Sequence, residues 1–209
     1  EVGSRGLGDV YKRQGINIKA KALKDEGKDV IVLAAGEPDF NTPKNIRDAA
    51  SKAMEEGKTK YVPGKGTPEL QKAIQKKFRE DNNIDYQLDE IICGVGGKHI
   101  IYNAMMATIN PGDEVIITAP FWVSYPDIVL LAEGKPVIVE CPQSQNFKIT
   151  PEQLEKNINS KTKWLMLNSP SNPTGSVYSK KELEDLALIL KKYPNAVSYT
   201  HLTLPTKST

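Results

Sequence analysis

The chain has 209 residues, with 28 basic against 26 acidic side chains and a formal charge of +2. That length suits one domain of moderate size or part of a larger one. The balanced charge argues against a nucleic-acid partner, which needs a clustered basic face. No apolar run approaches membrane-spanning length, so no membrane partner is expected. The start shows no charged, apolar, small-residue pattern of a secretory signal, and the expected compartment is the cytoplasm.

Two cysteines, Cys93 and Cys141, each lie in an apolar, strand-like run. They read as buried free thiols in a reducing compartment. With two histidines and no ligand spacing among these residues, no metal site is expected.

Both ends look foreign to the middle. Glu1 to Gln14 shows no helical or strand period. Ala196 to Thr209 breaks off the helical pattern before it. Both resemble translated adapter or vector sequence and are read as lying outside the fold.

Between them the pattern is regular. Residues 17–26 suit a short helix, and Val30 to Ala34 a strand. A loop rich in turn residues, Ala35 to Pro43, follows. Thr42 and Pro43 then predict a helix start, with Thr42 as cap and Pro43 in first position, running to about Glu56. Gly57 stops it. A glycine-rich connection from Lys58 to Gly66 leads to a second cap signal, Thr67-Pro68, and a helix to about Asp81. Glu90 to Cys93 reads as a short strand. Gly94-Val-Gly-Gly97 turns directly into a helix from Lys98 to Ile109. Asn110 to Asp113 is a turn, and Glu114 to Thr118 a strand. The loop Ala119 to Pro126 leads to a helix ending near Glu133. Pro136 to Glu140 is another strand. Thr150-Pro-Glu-Gln153 is a capping box for a helix to about Ile158. Lys163 to Leu167 is an apolar run that reads as a buried parallel strand. Asn168 to Gly175 is a loop, and Ser179 to Glu182 a capping box for a helix to about Lys192. From Glu90 onward this βαβα alternation predicts a parallel sheet covered on both faces.

Ligands of such sheets bind beyond the carboxyl ends of the strands. Three loops gather there: Gly94–Gly97, Ala119–Ser124 and Asn168–Gly175. The glycines of the first let the backbone approach an anion at a helix N-terminus, although a plain tight turn fits the local sequence equally. The spacing matches neither a Walker loop nor Gly-x-Gly-x-x-Gly, since His99 holds the last place. Lys98 heads the helix, where a cation opposes the dipole unless an anion is bound. Trp122 suits either a stacking platform for a flat ring or a rim aromatic. Tyr61 is either a surface aromatic or a hydroxyl within reach of a phosphate. Asn172 is either a turn residue or a donor to a phenolate-type oxygen. His99 reads as a helix residue. Together, an anion nest, a ring platform and an amide suit an aromatic phosphate better than a dinucleotide.

At these residues the chain closely resembles the class I aminotransferases of the aspartate aminotransferase family, which use pyridoxal 5′-phosphate (PLP). The segments that carry the likeness are Gly36-Glu-Pro-Asp-Phe40 with Thr42-Pro43, Gly57-Lys-Thr-Lys-Tyr61, Gly96-Gly97-Lys98, Pro120-Phe-Trp-Val-Ser-Tyr-Pro126 and Asn168-Ser-Pro-Ser-Asn-Pro-Thr-Gly175. They stand in family order from about Ile16 to Asn195. The resemblance implies an α/β chain of fold type I, the N-terminal part of the large domain. Residues 15–195 would form that part, between adapter-like segments 1–14 and 196–209.

By the same resemblance Gly36 would bind the substrate α-carboxylate through its amide. Gly96, Gly97 and Lys98 would form the phosphate turn, and Lys98 would also sense a distal carboxylate. Trp122 would stack on the pyridine ring and Asn172 would bond the ring's 3′-oxygen. Tyr61 would reach the phosphate of the partner subunit, implying a homodimer. The reaction implied moves an amino group between an amino acid, aspartate or glutamate, and a 2-oxo acid, with prephenate a further acceptor. A β-lyase on the same scaffold and a non-catalytic PLP-binding regulatory domain are the alternatives. The family's Schiff-base lysine, pyridinium aspartate and carboxylate-binding arginine have no counterpart here. A fragment, inactive alone and with unpaired strand edges, is therefore expected.

Overall fold

A computed structural model describes residues 5–32 and 40–201. The chain divides into two compact units, Glu1–Val62 and Pro63–Thr209.

The first unit holds two helices, α1 (Arg5–Asp25) and α2 (Lys44–Glu55). Helix α1 starts well before the expected residue 17 and takes in most of the segment read as aperiodic. Gly6, Gly8 and Gly15 lie in it and dilute the helical signal. Helix α2 begins one residue later than expected. Pro43, with φ −48° and ψ 141°, is itself the cap, and no side chain caps the helix. The expected strand at Val30 is not formed over Val30–Val32; its later residues and Gly36 lie outside the described residues. None of the residues of α2 is buried, and Phe40 and Tyr61 are exposed.

The second unit opens with α3 (Pro68–Asn82), where the Leu70 N–H donates to Thr67 Oγ1 at 3.3 Å, the cap that the sequence predicts. The strand expected at Glu90–Cys93 is absent. A single 3-10 turn covers Leu88–Glu90, and the backbone beyond it is bonded elsewhere. Gln71, buried on α3, donates from Nε2 to the carbonyls of Leu88 (3.1 Å) and Ile91 (2.8 Å). The Cys93 N–H donates to the Lys65 carbonyl at 3.1 Å. These three backbone groups are thereby engaged outside any strand ladder.

Four parallel strands follow: β1 (Glu114–Ala119), β2 (Lys135–Glu140), β3 (Thr162–Asn168) and β4 (Val197–His201), ordered β2-β1-β3-β4. Strand β4 lies within the tail that the sequence reading sets aside. It pairs along β3, Trp164 opposite Val197 and Met166 opposite Tyr199. Among the described residues β2 and β4 are the sheet edges.

Helices cover both faces, as expected of a parallel sheet. On one side α4 (Gly97–Thr108) and α5 (Ser124–Leu131) bury Ile101, Met105, Ile128 and Val129 against Val115, Ile117, Trp164 and Met166. On the other, α6 (Pro151–Asn157) and α7 (Lys180–Leu190) bury Leu154, Leu186 and Ile189 against Ile116, Leu165 and Leu167. Neighbours along a strand point to opposite faces. The two inner strands, β1 and β3, are buried on both faces and read as apolar runs.

Two predicted capping boxes are present in full, at Thr150/Gln153 and Ser179/Glu182. Glu182 also pairs with Lys148, its Oε1 2.5 Å from Nζ. The Lys148 hydrogen bond, then those from Ser179, hold this carboxyl down at about 2 against an ordinary 4.5. A depressed carboxyl stabilises fully above its unfolded value, and the contribution is lost as pH falls through the folded value. Glu182→Gln should therefore melt below the parent protein at pH 7. The gap should close between pH 4.5 and pH 2 in thermal scans; a gap independent of pH would refute the assignment.

Candidate active site

The carboxyl ends of β1 and β3 deliver two loops to one rim of the sheet. The first, Pro120–Val123, carries Trp122, which is half-buried and packs on the α4/α5 core. The Tyr125 ring meets Trp122 edge-on, centroids 5.4 Å apart at 76°. Burial pushes the Tyr125 phenol up, with Tyr199 adding to it, so it stays protonated near neutrality. It can donate a hydrogen bond but cannot serve as a base there.

The second loop is closed by its own bonds. The Ser171 N–H donates to the Ser176 carbonyl at 2.9 Å and the Gly175 N–H to the Ser171 carbonyl at 2.8 Å. The Asn172 N–H donates to Asn168 Oδ1 at 2.6 Å, so the last residue of β3 anchors the loop. The Asn172 side chain is left exposed at the rim. Peptide bonds Ala119–Pro120, Ser169–Pro170 and Asn172–Pro173 are cis.

The third element is the turn before α4. Gly96 caps this helix with φ 114° and ψ 160°, a conformation open to glycine almost alone, and no side chain caps the helix start. The first-turn amides of α4 are thus available to an anion. A Cβ built on Gly96 meets nothing within 4 Å, so this glycine serves the backbone rather than the space around it. Lys98 Nζ lies over the Trp122 ring, 4.9 Å from its centroid. This cation–π contact, worth about 0.5–1 kcal/mol at an exposed site, ties the glycine turn to the Trp122 loop.

The structure thus brings Lys98 of the glycine turn onto Trp122, and sets Asn172 beside Phe121 of the Trp122 loop and Tyr125 of α5. Between the loops, Thr118, Phe121, Tyr125, Asn168 and Asn172 line a cleft of about 10 Å³. That volume holds about one water, so an aromatic ring is not accommodated inside it. The residues fit a phosphorylated ring only if the ring lies against exposed surface, where Trp122 and Asn172 are presented. Tyr61 belongs to the first unit and is fully exposed. Sequence reasoning missed Tyr125, whose signal was its place in the aromatic loop, and Asn168, read only as the start of a turn. It also set His99 aside.

Known proteins match this chain in sequence and in fold. A family model described as aminotransferase class I and II matches residues 28–199. A "Probable aspartate/prephenate aminotransferase" of Rickettsia bellii is 56% identical over 190 residues, 88% of this chain and 48% of that protein. An aspartate aminotransferase of Rhizobium meliloti is 49% identical over 194 residues, 93% of this chain and 47% of that protein. The crystal structure of an aspartate aminotransferase from that organism superposes with a TM-score of 0.84, at 49% identity, over 90% of this chain and 47% of that one. The enzyme of Thermus thermophilus, solved with maleate, gives a TM-score of 0.84 at 43% identity, over 90% of this chain and 50% of that one. The chain spans about half the length of the curated relatives it matches. Its sheet and covering helices correspond to the N-terminal part of these fold-type I structures. On the family model and these identities, the chain belongs to the class I and II aminotransferases.

Proposed function

We propose that the complete protein carrying this chain is a PLP-dependent aminotransferase. It moves an amino group between aspartate or glutamate and a 2-oxo acid. Prephenate is a second acceptor, favoured by relatives named as aspartate/prephenate aminotransferases. The observation that carries this reading is the junction of the uncapped glycine turn with the Trp122 ring through Lys98.

PLP, when bound, supplies an electron sink for the amino acid's α-carbon and a carrier for its amino group. The residues of this chain bind and orient. The Gly96–Lys98 turn takes the phosphate through backbone amides and the helix dipole. Trp122 offers a ring face, and Asn172 donates an amide hydrogen to the ring oxygen. Lys98 attracts a distal substrate carboxylate, Gly36 takes the α-carboxylate through its amide, and Tyr61 serves the cofactor phosphate of the partner subunit in a homodimer. The lysine that binds the cofactor covalently is expected elsewhere in the complete protein.

The test is a cofactor titration followed by visible absorption. The complete protein should bind PLP and convert aspartate and 2-oxoglutarate. Trp122→Ala with Asn172→Ala should weaken binding about 100-fold, from a lost stacking contact and a lost hydrogen bond to a charged oxygen. Undiminished binding in the double variant would refute the assignment.

A further inference from the structure

His99 stands in the first turn of α4 and faces back onto the glycine turn. Its Nδ1 lies 3.4 Å from the Val95 backbone nitrogen, as acceptor of that N–H. Its Nε2 lies 3.0 Å from Asn103 Nδ2, one helical turn on. The two contacts call for opposite tautomers, because Val95 N–H and Asn103 Nδ2 are both donors and a neutral imidazole has one acceptor. Rotating the Asn103 carboxamide by 180° resolves this, since Oδ1 then occupies the place of Nδ2. Nε2–H donates to Asn103, and Nδ1 is left free to accept from Val95. The ring is then held from both sides.

Gly94 makes this approach possible. A Cβ there would lie 3.0 Å from His99 Nδ1 and 2.5 Å from Ile100 Cδ1. A side chain at residue 94 would force the Ile100 side chain and the imidazole to shift. The Val95 side chain is exposed, so its packing does little to set the turn. The His99 bond is what engages the Val95 amide.

We propose that His99 is a positioning residue for the phosphate turn. In the Nε2–H tautomer, fixed by Asn103, it captures the Val95 amide and so sets the peptide orientation entering Gly96. The amides that follow are left aimed at an anion. His99 acts through the backbone and does not itself touch the cofactor. The inference rests on the PLP reading given above.

The experiment compares PLP with pyridoxal, which lacks the phosphate, by absorption titration of the complete protein. His99→Ala should weaken PLP about fivefold, the usual loss for one hydrogen bond, and leave pyridoxal unchanged. His99→Gln, whose Oε1 can accept from Val95, should restore PLP affinity to within about twofold. His99→Lys supplies a cation but no acceptor, so it should fail as His99→Ala does. Lysine restoring affinity would show a direct charge contact with the phosphate and overturn the proposal. So would an equal loss for pyridoxal, or no loss in His99→Ala. If the unmodified protein binds no PLP, the functional reading falls as well, which separates the two failures. Thermal melts of all three variants should match the parent, since the imidazole is exposed.

Discussion

Leu165→Ala is expected to lower the free energy of unfolding by about 3 kcal/mol. Leu165 lies on β3, is wholly buried, and is paired on its strand with Ile116 of β1. Its side chain enters the α6/α7 core with Leu154, Leu167 and Leu186. Truncation removes transfer energy and leaves a cavity that a parallel strand bonded on both edges cannot close by moving. Strand β3 is bonded to β1 on one side and β4 on the other, so the backbone is fixed. The matched control is Ile138→Ala on β2, an edge strand, where the side chain is 40% exposed. That change should cost less than about 1 kcal/mol, because much of the side chain is already in water. Denaturant melts measure both, and the midpoint rather than the slope should move. Equal losses at the two positions would mean that β3 is not an inner strand.

The contrast between β3 and the missing strand at Glu90–Cys93 shows what was readable beforehand. Lys163–Leu167 and Glu114–Thr118 are long apolar runs bounded by turn residues, and both are strands in the structure. Ile91-Ile-Cys93 is likewise apolar but short, and its Ile91 carbonyl and Cys93 amide are engaged by Gln71 and Lys65. A side chain twenty positions away is not visible in a local pattern. Capping boxes were legible because their two bonds are local and residue-specific, as at Ser179 and Glu182. The first half of helix α1 was not, because glycines mask its period, whereas residues 17–25 carried the helical pattern. Strand β4 was not, because Val197–His201 is mixed in character and acquires its shape from the free edge of β3. At the site, Gly96, Lys98, Trp122 and Asn172 could be singled out by residue type and loop position. The Asn168 tether and the His99 clamp depend on directions in space. Both are hydrogen bonds between a side chain and the backbone four residues away, and composition does not announce them.

Gly96→Ala should weaken the binding of PLP by about 5- to 150-fold while leaving the melting temperature nearly unchanged. The backbone at Gly96 has φ 114° and ψ 160°. Side chains other than hydrogen raise the energy of that conformation by about 1–3 kcal/mol. No neighbour opposes the new methyl group, since nothing lies within 4 Å of the position it would take. The cost is therefore one of backbone conformation and not of packing. An exposed turn relieves such strain by rotating the preceding peptide rather than by unfolding the domain. The rotated peptide no longer aims its N–H at the anion. The 1–3 kcal/mol then appears in ligand affinity, where each 1.4 kcal/mol is tenfold. Gly134→Ala offers the opposite case. There a Cβ would stand 2.7 Å from Ile109 Cγ2 and 3.2 Å from Val129 Cγ1, so packing is violated and stability should fall by about 1–3 kcal/mol. Its site amides stay in place, and PLP affinity should hold. Isothermal or absorption titration, read beside thermal melts of the same two variants, separates the effects. A large fall in melting temperature for Gly96→Ala with affinity retained would show that the turn supports the fold and does not hold the phosphate.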